Sequence, residues 1–282
     1  MQTDDYHFLE YGGFRLPYRV WGNGGELLLA FHGYGRNSED YRPFAAELGA
    51  QYTLIAFDFF YHGPMAADPE IPMPAFSSSQ MAGLVERLLW ERKKVNCSLL
   101  GYSQGGRLVL GILHRIPHRV NKVVLVSPDG LKPNRMRKFI SKTPLGRWTG
   151  RWLVTHRSGL HSILKLLAAT GFIRPNLRNF YLNSTREKKD RYRIYHIWMA
   201  MKDFDIHPRL IDHYFNSRNF RMVFVMGEFD SVIPAKWAED FIRKMRKKPE
   251  IIVLPCGHDL LKEVKPISRI LLEAWPRGKS GA

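Results

Sequence analysis

Leu99-Leu100-Gly101-Tyr102-Ser103-Gln104-Gly105-Gly106 is the stretch on which the reading of this chain turns. Cys97 to Leu100 is a short apolar run, fit for a central strand of a parallel sheet. From Arg107 onward, Leu108, Val109, Leu110, Ile112 and Leu113 make a segment apolar nearly all round, as a buried helix requires, and Pro117 stops it. Between the two lies the pattern G-x-S-x-G. Gly101 and Gly105 remove Cβ atoms that would collide as the chain reverses, and the turn is expected to hold Ser103 in a strained conformation. Its hydroxyl would then project at the positive end of the following helix.

Outward from this turn, strands and helices alternate. A hairpin is expected at Tyr6–Tyr11 and Phe14–Trp21, joined at Gly12-Gly13. Glu26–Phe31 reads as a buried strand running into His32-Gly33-Tyr34-Gly35, and Asn37 or Ser38 caps a helix expected to reach Leu48. Tyr52–Asp58 is the next strand, followed by a helix from about Gln80 to Lys94. The serine turn comes next, and then a strand over Lys122–Ser127. Alternation pauses over 131–218, where periodicities such as Leu160, Ile163, Leu164 and Leu167 are helical. It resumes with a strand at Arg221–Met226, a helix at Pro234–Lys248, a strand at Glu250–Pro255 and a helix from Leu260 to about Trp275. Arg277–Ala282 reads as a frayed tail. The expected architecture is α/β: a mostly parallel sheet of eight strands flanked by helices. Residues 1–130 and 219–282 form the core, and 131–218 form an inserted helical lid.

At 282 residues the chain suits one large domain with an insertion. The acidic start, Met1-Gln2-Thr3-Asp4-Asp5, has no apolar h-region, and no apolar run approaches the ~18 residues of a membrane span. Two cysteines, Cys97 and Cys256, give no disulfide framework, and a cytoplasmic setting with reduced thiols is expected. The net charge of +17 is concentrated: residues 131–220 hold 19 Lys/Arg against 5 Asp/Glu, +14 of the total. Such a balance suits an acidic partner, either an anionic membrane surface or an acidic substrate. Nucleic acid is disfavoured, because no helix-turn-helix, zinc-finger or RNA-binding signature accompanies the charge.

The G-x-S-x-G turn between strand and helix resembles the nucleophile elbow of the α/β-hydrolase family, and the resemblance covers nearly the whole chain, weakest in the lid. Family order is serine, acid, histidine. Met226-Gly227-Glu228-Phe229-Asp230-Ser231-Val232-Ile233-Pro234 matches the acid-bearing G-x-x-D-x-x-x-P loop, and Gly257-His258 matches the pair after the terminal strand. The resemblance therefore implies Ser103 as nucleophile, His258 as general base and then acid, and Asp230 as the group that orients it. Asp129 is the rival acid, since some members carry theirs after the strand following the elbow; Glu228 would serve only with Asp230 turned away. His32-Gly33-Tyr34-Gly35 matches the family's H-G-x-G loop, which implies an oxyanion hole from the backbone N–H groups of Tyr34 and Gln104. His32, and Asp58 with His62-Gly63, are expected to be structural. His114, His118, His156, His161, His196, His207 and His213 lie on helices or in the lid and are set aside as bases.

A serine at the elbow excludes the members that attack with aspartate, the epoxide hydrolases and haloalkane dehalogenases. The resemblance implies acyl transfer through an acyl-enzyme, with a small-molecule carboxylic ester or thioester of a moderately apolar acid as substrate. Neither metal nor cofactor is expected, as no H-E-x-x-H, paired-cysteine or Walker pattern occurs. Trp148, Trp152, Tyr195 and Trp198 are candidate substrate contacts in the lid, and Arg147, Arg151, Arg157, Lys165, Arg174 and Arg178 give that region a basic amphipathic face suited to peripheral membrane association. Two other readings stay open: hydrolysis of carbon–carbon bonds in keto acids, and a non-catalytic anionic-ligand or nucleic-acid binder that keeps the fold.

Overall fold

The computed structural model describes residues 5–65, 70–173, 175–204, 208–217 and 220–273. Arg174, His207, Trp275 and the expected tail lie outside the described residues. The apolar runs form eight strands: β1 (His7–Tyr11), β2 (Phe14–Trp21), β3 (Glu26–Phe31), β4 (Tyr52–Phe57), β5 (Cys97–Tyr102), β6 (Val120–Val126), β7 (Arg221–Gly227) and β8 (Glu250–Leu254). They make one sheet in the order β1-β2-β4-β3-β5-β6-β7-β8. The pairs β1–β2 and β2–β4 are antiparallel, and every pair from β4 through β8 is parallel.

Eleven helices are seen among the described residues: α1 (Phe44–Leu48), α2 (Ser78–Glu91), α3 (Gln104–Arg115), α4 (Arg135–Lys142), α5 (Pro144–Thr155), α6 (Arg157–Ala169), α7 (Pro175–Asn183), α8 (Lys188–Ala200), α9 (Pro208–Ser217), α10 (Lys236–Ile242) and α11 (Val264–Leu272). The central strands are buried on both faces. Alternate residues Leu28, Ala30, Leu54, Ala56, Leu100, Val124, Val126, Val223 and Val225 pack with Phe44 and Leu48 of α1 and Ile267, Ile270 and Leu271 of α11. The helices α2 and α3 pack on each other, α3 lies against β3, β5 and β6, and Phe241 of α10 meets the ring of Phe224. At the N-terminal end of the sheet two strand cations bind the end of α11. Lys122 donates to the carbonyls of Leu271 and Glu273, and Arg221 pairs with Glu250 at 3.1 Å and Glu273 at 2.6 Å. Cations are favoured there, where the last carbonyls of a helix lack intrahelical partners.

Four helices are shorter than their periodicity predicts; the last, expected from Leu260, opens as a separate helical turn at Leu260–Lys262 before α11. The helix expected to run to Leu48 is a helical turn at Ser38–Tyr41, capped by the Asn37 side chain, followed by α1. Pro43 stands between them and cannot donate the N–H that a continuous helix needs. Helix α2 stops before Lys93, whose φ of 51° is left-handed. Helix α10 begins after Pro234 and ends at Ile242, and the Lys248 ammonium donates to the carbonyls of Ile242 and Arg243.

The chain divides into two compact units, 1–65 with 78–132 and 204–282, and 66–77 with 133–203. Helix α9, at the end of the stretch expected as a lid, belongs by its contacts to the sheet unit and packs on α3. The smaller unit is helical from α4 to α8. Asn134 caps α4 through the Arg137 N–H and Thr143 caps α5 through the Gly146 N–H, each at 2.9 Å. Ile140, Val154 and Tyr195 form one apolar cluster of this unit, and Leu164, Ile173 and Tyr181 form another.

Candidate active site

Ser103 joins β5 to α3 with φ 49° and ψ −115°, a conformation that costs a side-chain-bearing residue about 1–3 kcal/mol. Its surroundings hold it there. The Ser103 N–H donates to Val126 at 2.9 Å, while its carbonyl accepts from Gly106 at 3.0 Å and Asp129 at 2.7 Å. Only glycine fits at 105, because a Cβ there would lie 1.9 Å from the Phe31 carbonyl oxygen. The turn thus packs directly on the end of β3.

Asp230 and His258 reach the serine from the loops after β7 and β8. His258 Nε2 lies 3.2 Å from Ser103 Oγ, and His258 Nδ1 lies 2.7 Å from Asp230 Oδ2. The other oxygen of Asp230 accepts from the Val232 and Ile233 N–H groups at 2.9 and 2.8 Å. Burial raises the Asp230 carboxyl, but the hydrogen bond and charge of His258 and the Ile233 N–H outweigh it, leaving the carboxyl below its usual range. A carboxylate fixed on both oxygens leaves Nδ1 as the donor and Nε2 as the acceptor facing Ser103.

The rival acid is committed elsewhere. Asp129 Oδ2 accepts from Arg107 Nε at 3.0 Å, and Oδ1 accepts from Arg107 Nη2 at 2.9 Å and from the Gly130 N–H at 2.7 Å. Arg107 is buried in α3, and this fork-on-fork pairing neutralises it. Glu228 is exposed.

His32-Gly33-Tyr34-Gly35 lies against the serine, since a Cβ on Gly33 would stand 3.0 Å from Ser103 Cβ and 2.9 Å from Tyr102 Cε1. Gln104 opens α3 and Tyr34 follows Gly33, so both expected oxyanion donors belong to backbone that borders Ser103. Two histidines shape the loop. His32 Nε2 accepts from the Phe59 N–H at 3.1 Å, which leaves its Nδ1–H to donate to the Gly33 carbonyl at 2.7 Å. His62 Nε2 accepts from the Gly35 N–H at 2.9 Å, and its Nδ1 faces the carbonyls of Phe59 and Phe60. The buried Asp58 accepts from the Ser38 N–H and hydroxyl at 2.5 and 3.0 Å.

Burial pushes the His32 imidazole down from 6.5 to about 4. The unfolded chain therefore takes up this proton first. The stability from neutral His32 is complete above pH 6.5 and is lost as pH falls toward 4, by up to about 3 kcal/mol. Urea unfolding across this window is expected to show that slope, and His32→Asn to flatten it.

Some site residues give no motif signal. Tyr102 donates its hydroxyl to the His258 carbonyl at 2.7 Å, and Arg36 pairs with Asp259. The second contact ties the loop after β3 to the loop after β8. The available signal was local: Arg36 and Asp259 each directly follow a matched loop and carry opposite charges. Arg107 was legible as a lone charge in a buried helix, which demands a partner.

The four candidate contacts of the helical unit fall into two groups. Tyr195 and Trp198 line an apolar cavity of about 60 Å³, together with Ile140, Leu160, Leu164 and Tyr181. Trp148 and Trp152 are absent from that lining and are 68% and 40% exposed. Among the described residues no cluster of three or more His, Cys, Asp or Glu side chains is placed to hold a metal, and no helix is long and apolar enough to cross a membrane.

A profile of the alpha/beta hydrolase fold matches residues 26–263, and the chain belongs to that family. A stretch of 125 residues, 44% of the chain, is 32% identical to the dihydrolipoyllysine-residue acetyltransferase component of an acetoin cleaving system from Cupriavidus necator. A stretch of 112 residues, 40% of the chain, is 28% identical to the pimeloyl-[acyl-carrier protein] methyl ester esterase of Edwardsiella ictaluri. These matches span only 32% and 40% of the two relatives' lengths. Among solved structures, a thermophilic esterase from Thermogutta terrifontis superposes with a TM-score of 0.65 at 14% identity, over 95% of this chain and 96% of that one.

Proposed function

We propose that the protein is a serine hydrolase that cleaves carboxylic esters or thioesters through an acyl-enzyme. The observation that carries this reading is the continuous hydrogen-bonded chain from Asp230 through His258 to Ser103. In the proposed cycle Ser103 Oγ attacks the ester carbonyl carbon while its proton passes to His258 Nε2. The negative charge on the carbonyl oxygen is met by the Tyr34 and Gln104 N–H groups, each worth about 2.7–4 kcal/mol to the transition state. His258 then gives the proton to the departing alcohol or thiol. Water repeats the sequence on the acyl-enzyme and frees the acid. Asp230 keeps the Nδ1–H toward itself throughout and stabilises the imidazolium.

A panel of p-nitrophenyl esters of increasing acyl length tests the reading. Burst kinetics, with turnover highest for acyl groups longer than acetyl, is the expected result. Absence of turnover across the panel, with a keto acid cleaved instead, would replace ester by carbon–carbon hydrolysis. A protein inert to both would be a binder that keeps the fold.

A further inference from the structure

Helix α5 carries apolar residues on two sides. Gly146, Gly150, Leu153 and Val154 are buried, with Gly150 set closely against Tyr195 and Ile140. Leu145, Trp148 and Trp152, spaced three and four residues apart, lie on the opposite side and face water, with Leu145 62% exposed. A helix that only packs on a core needs the first stripe alone. The second stripe continues at the start of α6, where Trp152 stacks on His156 at 4.5 Å between ring centroids.

The charge around this stripe has one sign. From Arg135 to Ala169 the chain has eight Lys/Arg and no Asp/Glu. Three carboxylates of the same unit are engaged elsewhere, Glu70 with Lys188 at 3.1 Å, Glu187 with Lys189 at 2.8 Å and Asp190 with Arg193 at 3.3 Å. Arg151, three residues after Trp148, borders the stripe on α5 and Arg157 opens α6; both are exposed, and neither has a carboxylate partner among the described residues.

We propose that this face of α5 and the start of α6 docks on an anionic lipid bilayer, with Leu145, Trp148 and Trp152 entering the headgroup boundary and Arg151 and Arg157 meeting lipid phosphates. Indoles favour that boundary, where a ring can be half in hydrocarbon and half among headgroups. Cations beside an apolar stripe are the pattern of a helix lying in the plane of a membrane. Leu145 decides between polyanions: an aliphatic side chain gains from hydrocarbon and has no use on nucleic-acid phosphates. The docking is independent of the ester chemistry, and its test reads binding alone.

The test is co-sedimentation with sucrose-loaded phosphatidylcholine vesicles, with or without phosphatidylglycerol, at low and high salt. The protein is expected to sediment only with the anionic vesicles, and to be released by salt. Changing Arg151 and Arg157 together to Gln is expected to lower partitioning about 30-fold, from about 1 kcal/mol per cation. Leu145→Ser with Trp148→Ser is expected to lower it about tenfold or more. Trp90→Ser is the control, equally exposed at 70% but on α2, and leaves partitioning unchanged. An unchanged unfolding midpoint shows that each variant is folded. No sedimentation with anionic vesicles at low salt overturns the proposal. So does vesicle binding that ignores the Leu145 and Trp148 changes, which would be bare charge adsorption, or tighter binding to a homopolymer RNA than to vesicles.

Discussion

Ser103→Ala is expected to lower ester turnover by about 10⁶-fold and to abolish labelling by a fluorophosphonate probe. Losses of that size are typical when the attacking hydroxyl is removed from a triad. Ser103 Oγ lies 3.2 Å from His258 Nε2, so the wild-type protein is expected to take up one probe molecule. The substitution keeps a Cβ at φ 49°, and so keeps the strain of the turn. Ser103→Gly is equally inactive but unfolds at a higher temperature than Ser103→Ala, because glycine adopts this conformation without a steric penalty. Mass spectrometry of the labelled protein and calorimetry of both variants read the two effects separately. Full labelling of Ser103→Ala would assign the nucleophile elsewhere.

The second large effect separates two aspartates. Asp230→Asn is expected to reduce turnover by about 10⁴-fold, since an amide facing His258 Nδ1 permits the wrong tautomer. Asp129→Asn is expected to keep most activity and to lose stability, by about 3 kcal/mol, because it removes the carboxylate that neutralises the buried Arg107. Each aspartate thus has its own signature, one in kcat and one in the urea midpoint. The opposite pattern would give the orienting role to Asp129.

Much of the fold was legible because the strands alternate with turns of strong chemistry. All eight strands lie within about two residues of their apolar runs, and the serine turn was fixed by two glycines whose Cβ atoms have no room. Helix ends were less legible. Pro43 and Lys93 act through a missing N–H and a left-handed φ, both invisible to hydrophobic periodicity. The reach of the helical insertion was overestimated at its end, because α9 has the same amphipathic pattern whether it packs on α3 or on other lid helices. Periodicity shows that a face is covered and never by what. Within the site, motif order alone could not choose between Asp129 and Asp230. The difference lies in Arg107, four residues beyond Ser103, which holds Asp129 by both oxygens.

The sheet order places two strands, β6 and β7, between β5, with Ser103 at its end, and β8, whose following loop carries His258. Ser103 and His258 are 155 residues apart in the chain and meet only when β6 and β7 are already paired between them. Contacts of such sequence separation form slowly, since long loops must close first. Reactivity of Ser103 toward the fluorophosphonate therefore reports the arrival of the last parallel strand. During refolding from urea it is expected to recover after helical circular dichroism, which local segments such as α3 and α5 can produce early. The serine doubles as a chemical clock for completion of the sheet.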